Sequence, residues 1–218
     1  MKCFVLLTAT AMFGQDVCRS GVEAAQRQDF ASAQKLLGEC VKIPGATAES
    51  YLALARAYQA AEKIEEVLRI VLAGAKKFPQ EKRFVLTAAS IAGRNKQYAE
   101  ALKMLEPAAA RWPEDEKIRG LLASAHYGLG TEFLDAGNPQ AAAASLKEAV
   151  RLMPDDVDAQ MNLGRALHNL QRYGEALHAF DKVTQLQPAF PLVWFHRGLS
   201  YYAMGEPEKA IEDLDRQI

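Results

Sequence analysis

The chain has 218 residues, half of them hydrophobic, so it can bury a substantial core as one elongated domain or as two compact ones. Its 26 lysines and arginines stand against 27 aspartates and glutamates, which gives a formal net charge of −1. This balance lacks the excess positive charge that nucleic-acid backbones and anionic membranes attract, and a nucleic-acid partner is therefore not expected.

The first predicted element is a signal peptide at residues 1–14. Lys2 precedes an apolar run from Cys3 to Phe13, and Ala9 and Ala11 form a small-x-small pair of the kind found at cleavage sites. The run is too short to cross a hydrocarbon core, which needs about 20 residues. We therefore expect an exported protein, periplasmic or secreted. The alternative is a cytoplasmic protein in which this segment is a buried first helix.

The cysteines are consistent with export. Cleavage after the signal peptide would remove Cys3 and leave Cys18 and Cys40, which can pair in one way. A disulfide closing this loop would stabilise the N-terminal region by about 3 kcal/mol on the loop-entropy model. The alternative is a pair of reduced, buried thiols, as expected in a cytosolic protein.

From residue 48 onward the sequence repeats with a period of 34 residues. The repeat units begin at Ala48, Lys82, Ala123, Val157 and Pro191. Column eight of the repeat is small: Ala55, Ala89, Gly130, Gly164 and Gly198. Column 20 is also slim: Val67, Ala101, Ala142, Ala176 and Ala210. Column 24 is larger and apolar: Val71, Leu105, Leu146, Phe180 and Leu214. Column 32 is proline: Pro79, Pro113, Pro154 and Pro188.

These columns predict a pair of antiparallel helices in each unit. Small residues let two helices approach closely, and the larger residues fill the space beside that contact. Proline ends the second helix, because it lacks an amide hydrogen and disfavours helix in the residue before it. In the unit from Val157, the turn is predicted at Asn169–Tyr173. Each hairpin leaves an apolar flank that the next hairpin must cover.

One unit is longer than the others by seven residues, "EKIRGLL". Seven residues are nearly two helical turns, so such an insertion lengthens a helix without rotating its apolar face far. We therefore predict a long helix from about Glu116 to Ala136, with Ile118, Leu121 and Leu122 packed.

The segments "NLGRAL", "YGEALHAF" and "WFHRGLSYYAMGEPEKAIEDL", together with the proline column, resemble the tetratricopeptide repeat family. The resemblance implies an all-α, right-handed superhelical solenoid of about six antiparallel hairpins. A degenerate first unit is visible in residues 15–47, where antiparallel packing would place Cys18 and Cys40 at similar heights. The further units are 48–81, 82–115, 116–156, 157–190 and the incomplete 191–218. Arg197 departs from the family pattern, because it replaces the usual apolar residue of column seven.

In the family, the first helices of successive units line a concave groove that binds peptides or partner helices. Carried onto this sequence, the groove residues are Arg56, Arg94, Tyr127, Met161, Arg165, His168, Asn169, Phe195 and Tyr202, with Leu52, Gln59, Leu86, Thr131 and Leu199 beside them. The mixture of arginine and aromatic residues suits a peptide with acidic and apolar side chains. The alternative for any one of them is a solvated arginine or an aromatic packed on the neighbouring unit. The family's C-terminal carboxylate clamp is not reproduced, because Met161 and Arg165 occupy its columns.

No catalytic constellation, metal site or cofactor motif is recognisable in the sequence. The four histidines, His126, His168, His178 and His196, do not fall into a metal-ligand spacing. We therefore expect a non-catalytic protein-interaction scaffold that recognises a protein or peptide and can also self-associate through its last helix. The alternatives are a targeting or regulatory region of a larger enzyme truncated at residue 218, and an RNA-binding repeat protein, which would need a strongly positive groove.

Overall fold

A computed structural model describes residues 15–190 and 192–216 of the chain. Within these ranges the chain forms twelve α-helices and no strand, as the all-helical prediction requires. The helices are α1 (residues 15–26), α2 (Phe30–Cys40), α3 (Ala48–Ala60), α4 (Ile64–Lys77), α5 (Lys82–Arg94), α6 (Tyr98–Arg111), α7 (Glu116–Asp135), α8 (Pro139–Leu152), α9 (Val157–Asn169), α10 (Tyr173–Leu186), α11 (Val193–Ala203) and α12 (Pro207–Arg216). The predicted signal peptide at residues 1–14 lies outside the described residues.

The turns within the helix pairs share one backbone feature. Each of the six described turns holds a residue with a left-handed φ between 57° and 77°: Gln28, Glu62, Lys96, Gly137, Gln171 and Gly205. Successive positions are 34 residues apart, except across the seven-residue insertion between Lys96 and Gly137. Four of the six are not glycine, although the left-handed conformation costs an ordinary residue roughly 1 kcal/mol. The same reversal geometry therefore recurs in every hairpin, including the degenerate first one.

Close packing inside the hairpins depends on column eight. A Cβ atom added to Gly130 would lie 2.6 Å from Leu146 Cγ, and one added to Gly164 would overlap the ring of Phe180. In these two hairpins the large residue of column 24 fills the space beside the small residue of column eight, as predicted. The first hairpin follows the same rule, because a Cβ on Gly21 would lie 2.7 Å from Leu37 Cγ.

The chain divides into two compact units, Met1–Ile91 and Ala92–Ile218, which we call unit 1 and unit 2. In unit 1, α2 packs on α3 and α3 on α4. Its fully buried side chains include Leu37, Leu54, Val67, Val71 and Phe84. A disulfide joins Cys18 of α1 to Cys40 at the end of α2, with their Cα atoms 5.0 Å apart. Unit 1 therefore combines a small apolar core with a covalent link.

In unit 2, every helix from α6 to α12 contacts the next one along the chain. Its main apolar cluster is centred on buried residues of α8, α9 and α10, among them Leu146, Leu167, Phe180 and Val183. Val193 of α11 is also fully buried in this cluster. The cluster runs without a break through three consecutive hairpins, as a stacked repeat requires.

The predicted long helix is α7, which runs from Glu116 to Asp135. The Asp115 carboxylate caps it by accepting hydrogen bonds from the N–H groups of Lys117 and Ile118. The apolar residues of the insertion pack as expected: Ile118 is fully buried, Leu122 is 6 % exposed and Leu121 is half-buried. The insertion therefore lengthens the helix and does not form a loop.

Arg197 is accommodated inside unit 2 by ion pairs. Its guanidinium donates to both carboxylate oxygens of Asp213 on α12, at 2.7 and 2.6 Å, and to Asp181 on α10 at 2.8 Å. It also lies over the ring of Trp194, 4.6 Å from the centroid. These contacts raise the pKa of Arg197, chiefly through the hydrogen bonds to Asp213. A charged residue can thus replace the usual apolar one because its charge is fully compensated.

The second helices α4, α6, α8 and α10 each end two residues before a column-32 proline, as predicted. Within the described ranges, the chain has no helix that combines the length and the hydropathy needed to span a membrane.

Candidate partner-binding groove

The first helices of the last three hairpins form one continuous face in unit 2. Helix α7 contacts α9 directly and α9 contacts α11, in addition to the pairing of each with its own second helix. We call the surface formed by α7, α9 and α11 the first-helix face. It carries Tyr127, Arg165, His168, Asn169, Phe195 and Tyr202 of the predicted groove.

Hydrogen bonds run across this face from α7 to α9. The amide of Asn162 donates to Thr131 Oγ1 at 3.3 Å, and Thr131 Oγ1 donates to the carbonyl of Tyr127 at 3.0 Å. Arg165 Nη1 in turn donates to Asn162 Oδ1 at 3.0 Å. Asn162 was absent from the predicted groove, because nothing in its sequence position distinguishes it from a solvated helix residue. In the structure it positions the guanidinium of Arg165.

A second link joins α9 to α11. His168 Nδ1 lies 2.9 Å from Oγ of the fully buried Ser200, and this hydroxyl donates to the carbonyl of His196 at 3.0 Å. The hydroxyl proton is thus engaged, so His168 Nδ1–H is the donor to Ser200. Burial lowers the pKa of His168. His168 is therefore neutral and fixed in orientation at neutral pH, and the sequence had not revealed its partner.

His196 lies on α11 and is half-buried. Its ring stacks on Phe180 with centroids 6.0 Å apart and meets Phe195 edge-on at 5.4 Å. Burial lowers the pKa of His196 to about 4, and the positive charge of Arg165 and the proximity of His168 lower it further. The sequence did not predict this environment, because a lone histidine in a helix carries no signal for such a position.

The arginines predicted to line the groove differ in their pairing. Arg56 in unit 1 forms an ion pair with Glu49, whose other carboxylate oxygen accepts from Arg83 at 3.2 Å. Arg165 in unit 2 is exposed, and within the described part of the chain it has no carboxylate at ion-pair distance. Arg94 is exposed as the last residue of α5. Of the three predicted groove arginines, Arg165 is therefore the one that lies on the first-helix face.

The face ends in exposed aromatic and amide groups. Tyr202 exposes 70 % of its surface and Phe195 38 %, and Asn169 is also exposed. Tyr127 at the other end is half-buried. Together with Arg165, these groups offer a cation, hydrogen-bonding amides and aromatic area on one surface.

Met161 does not belong to this surface, which corrects its assignment to the groove. It is 6 % exposed and forms part of the apolar cluster of unit 2. Tyr127 of α7 packs against the same cluster, so the side of α9 that carries Met161 is covered by its neighbour. Leu52 in unit 1 is likewise buried, at 8 % exposure. Among the described residues, no three or more His, Cys, Asp or Glu side chains are grouped so that they could hold a metal ion.

Known proteins are similar to this chain in both sequence repeat and fold. A family model described as tetratricopeptide repeat matches residues 86–132, 127–189 and 169–218. The crystal structure of MamA protein is similar over 79 % of this chain and 91 % of its own, with 20 % identity and a TM-score of 0.58. The structure titled "Crystal structure of YrrB: a TPR protein with an unusual peptide-binding site" covers 84 % of this chain and 90 % of its own, with 24 % identity and a TM-score of 0.57.

Among curated proteins, the FK506-binding protein-like protein of Mus musculus is 28 % identical over 115 residues. The match covers 49 % of this chain and 33 % of the mouse protein. The chain therefore corresponds to about a third of the length of that relative.

Proposed function

The chain belongs to the tetratricopeptide repeat family, and on this premise we propose that it is a non-catalytic scaffold that binds an extended segment of a partner protein along the first-helix face. Its repeats and its structural neighbours support protein–protein interaction as the general role. The observation that carries the proposal is Arg165, a positioned and exposed guanidinium without a carboxylate partner among the described residues. YrrB, which shares the fold, is described as having a peptide-binding site.

The bound segment would carry an acidic residue and an apolar or aromatic residue. A guanidinium pairs well with a carboxylate, and the bound segment would supply the carboxylate partner that Arg165 lacks among the described residues. Phe195 and Tyr202 offer aromatic area whose burial costs little side-chain entropy. His168 and His196 are neutral at pH 7, so Arg165 supplies the positive charge that would attract the partner's carboxylate.

The test is a selection from a library of random 12-residue peptides on the immobilised protein. Peptides retained by the native protein should be enriched in Asp or Glu close to an aromatic or aliphatic residue. Arg165→Gln should weaken them at least tenfold, because it removes the charge but keeps a polar side chain. The matched control is Arg151→Gln on α8, which removes an exposed arginine from a second helix.

Two outcomes would contradict this proposal. One is a selected peptide family without acidic residues. The other is equal binding of the selected peptides to the native protein and to the Arg165→Gln variant.

We further propose that the protein is exported after removal of residues 1–14. The Cys18–Cys40 disulfide supports this, because such bonds persist in oxidising compartments and are rare in the cytosol. Mass spectrometry of the native protein should show loss of the first eleven to fourteen residues and a deficit of about 2 Da from the bridge. An intact Met1 with reduced thiols would favour the cytoplasmic alternative, and a mass well above that of 218 residues would favour a region of a larger enzyme.

Self-association through α12 is the second interaction that we propose. Ile211 on this helix exposes 60 % of its surface, so it offers apolar area to a second copy of the chain. Sedimentation analysis should show concentration-dependent association that Ile211→Lys abolishes, with Glu212→Lys on the same helix as the control. A monomer at all concentrations would exclude the interaction.

A further inference from the structure

The seven-residue extension makes α7 longer than the helix that pairs with it. Gly130 of α7 faces Leu146 of α8, and α8 ends at Leu152. Because the two helices are antiparallel, residues 116–122 continue past the end of α8 by roughly 10 Å, at 1.5 Å per residue. This part of α7 therefore has one side that its own partner helix does not cover.

The other side of the extension is firmly packed. Ile118 is fully buried and Leu122 is 6 % exposed, and α7 contacts α6. The cap from Asp115 also satisfies the first N–H groups of the helix. The extension is thus held in place and can serve as a fixed wall.

A cleft of about 550 Å³ lies between residues 116–120 of α7 and residues 152–156, which end α8 and lead into α9. Its volume falls within the usual range for small-ligand and side-chain pockets. Met153 in its lining is 42 % exposed, and a Cβ atom added to Gly120 would meet nothing within 4 Å. The cleft therefore offers apolar surface and open space at one point.

The lining of the cleft is acidic. It contains the carboxylates of Glu116, Asp155 and Asp156 against one cation, Arg119. Arg119 lies 3.6 Å from Glu116, and Asp155 pairs with Lys182 at 2.8 Å while the Asp155 side chain stays 75 % exposed. After these two ion pairs the lining keeps a net negative charge. This charge favours a cation in a ligand and disfavours an acidic group.

We propose that this cleft, which we call the overhang cleft, is a second docking site that receives an apolar side chain of a partner protein flanked by lysine or arginine. The apolar side chain enters the space beside Gly120 and covers Met153. The flanking cation lies near the carboxylates of Asp155 and Asp156. The preference is opposite in sign to that of the first-helix face, so the two sites would take different segments.

Peptide selection can test the overhang cleft separately from the groove. Random 12-residue peptides are selected on the native protein and screened against Gly120→Trp, which fills the space, and against Gly120→Ala, which adds one methyl group in the open. We expect one peptide family that binds the native protein and Gly120→Ala alike and binds Gly120→Trp at least tenfold more weakly. Its members should carry Lys or Arg within two positions of an aliphatic residue, and their affinity should fall with added salt.

A second variant keeps the test decisive if Gly120→Trp does not fold. Met153→Lys places a positive charge in the cleft and should weaken the same family, whereas Arg165→Gln should leave it unchanged. Circular dichroism would establish that all variants keep their helical content. The proposal is overturned if no peptide depends on Gly120, or if the Gly120-dependent family is acidic or lacks cations.

Discussion

Units 1 and 2 share one hairpin geometry but are stabilised differently. Unit 1 has the Cys18–Cys40 disulfide across its first hairpin, where the repeat pattern is weakest. Unit 2 has no disulfide among its described residues; both units pack glycines against large side chains, and unit 2 adds the buried ion pairs of Arg197. The contrast suggests that a covalent link compensates where the packing columns are degenerate.

The largest effect is expected from Phe180→Ala in unit 2. Phe180 is fully buried in the apolar cluster, and truncating a buried aromatic residue to alanine costs about 3–5 kcal/mol of unfolding free energy. Urea unfolding with hydrogen-exchange readout should show the loss in unit 2 peptides. Phe180→Leu is the control and should cost less. A loss below about 1 kcal/mol would mean that unit 2 does not depend on this packing.

Removal of the disulfide should affect unit 1. The double variant Cys18→Ser with Cys40→Ser should lose about 3 kcal/mol, because the reduced chain regains the loop entropy that the bond removes. Hydrogen exchange should accelerate in residues 15–91 and stay unchanged in unit 2 beyond residue 92. Equal acceleration of hydrogen exchange in both units would contradict the proposed difference in how the two units are stabilised.

Gly164→Ala should destabilise unit 2 by about 1–3 kcal/mol, because the added methyl group would overlap the Phe180 ring. Combining it with Phe180→Leu should recover part of the loss, and the coupling can be measured in a double-mutant cycle. Gly120→Ala is the matched control. Its methyl group meets nothing, so the better helix propensity of alanine should stabilise the protein by up to about 1 kcal/mol.

Acidification should weaken unit 2 through His196. The pKa of His196 is about 4 in the folded protein, lowered chiefly by burial, against about 6.5 in the unfolded chain. The unfolded state therefore takes up the proton first, so the stabilisation is complete above pH 6.5 and is lost as the pH falls towards 4. With allowance for solvent we expect a loss of roughly 1–2 kcal/mol, which His196→Phe should remove. Denaturant midpoints between pH 7 and 4 would show whether the variant has a flatter profile.

The smallest effect is expected at the left-handed turn residues, which both units contain. Glu62→Gly in unit 1 and Gln171→Gly in unit 2 should each stabilise by up to about 1 kcal/mol, because glycine adopts the left-handed conformation without penalty. Thermal melts of the two variants should shift upward by similar amounts. Unequal shifts would mean that the turns, too, differ between the units.

Much of the fold could be predicted from the sequence, because close helix packing restricts the size of the residues at the contact positions. The contact of Gly164 with Phe180, the helix ends before the prolines and the long helix α7 all follow from side-chain volume and backbone chemistry. The left-handed turns could not be predicted at Gln28, Glu62, Lys96 and Gln171, since nothing in these side chains demands that conformation. Of the six turn positions, only Gly137 and Gly205 hold glycine, the residue that predicts a left-handed conformation.

The candidate groove was predicted less well than the fold. Column positions placed Arg165 and Tyr202 on an exposed surface, but they also included Met161, which a neighbouring helix covers. The hydrogen bonds of Asn162 and His168 cross from one hairpin to the next, and a periodic pattern within one hairpin cannot specify them. Whether an arginine is paired, as Arg56 is, depends on side-chain geometry that the sequence does not encode locally.

The insertion in α7 bears on how such chains can diverge. Seven residues rotate a straight helix to within about 20° of its starting azimuth, so the part of α7 that pairs with α8 keeps the orientation of its apolar side. A single genetic event of this size can add or delete a wall of the overhang cleft while leaving the downstream stack intact. A change in helix length can thus create a new recognition surface while the rest of the scaffold stays unchanged.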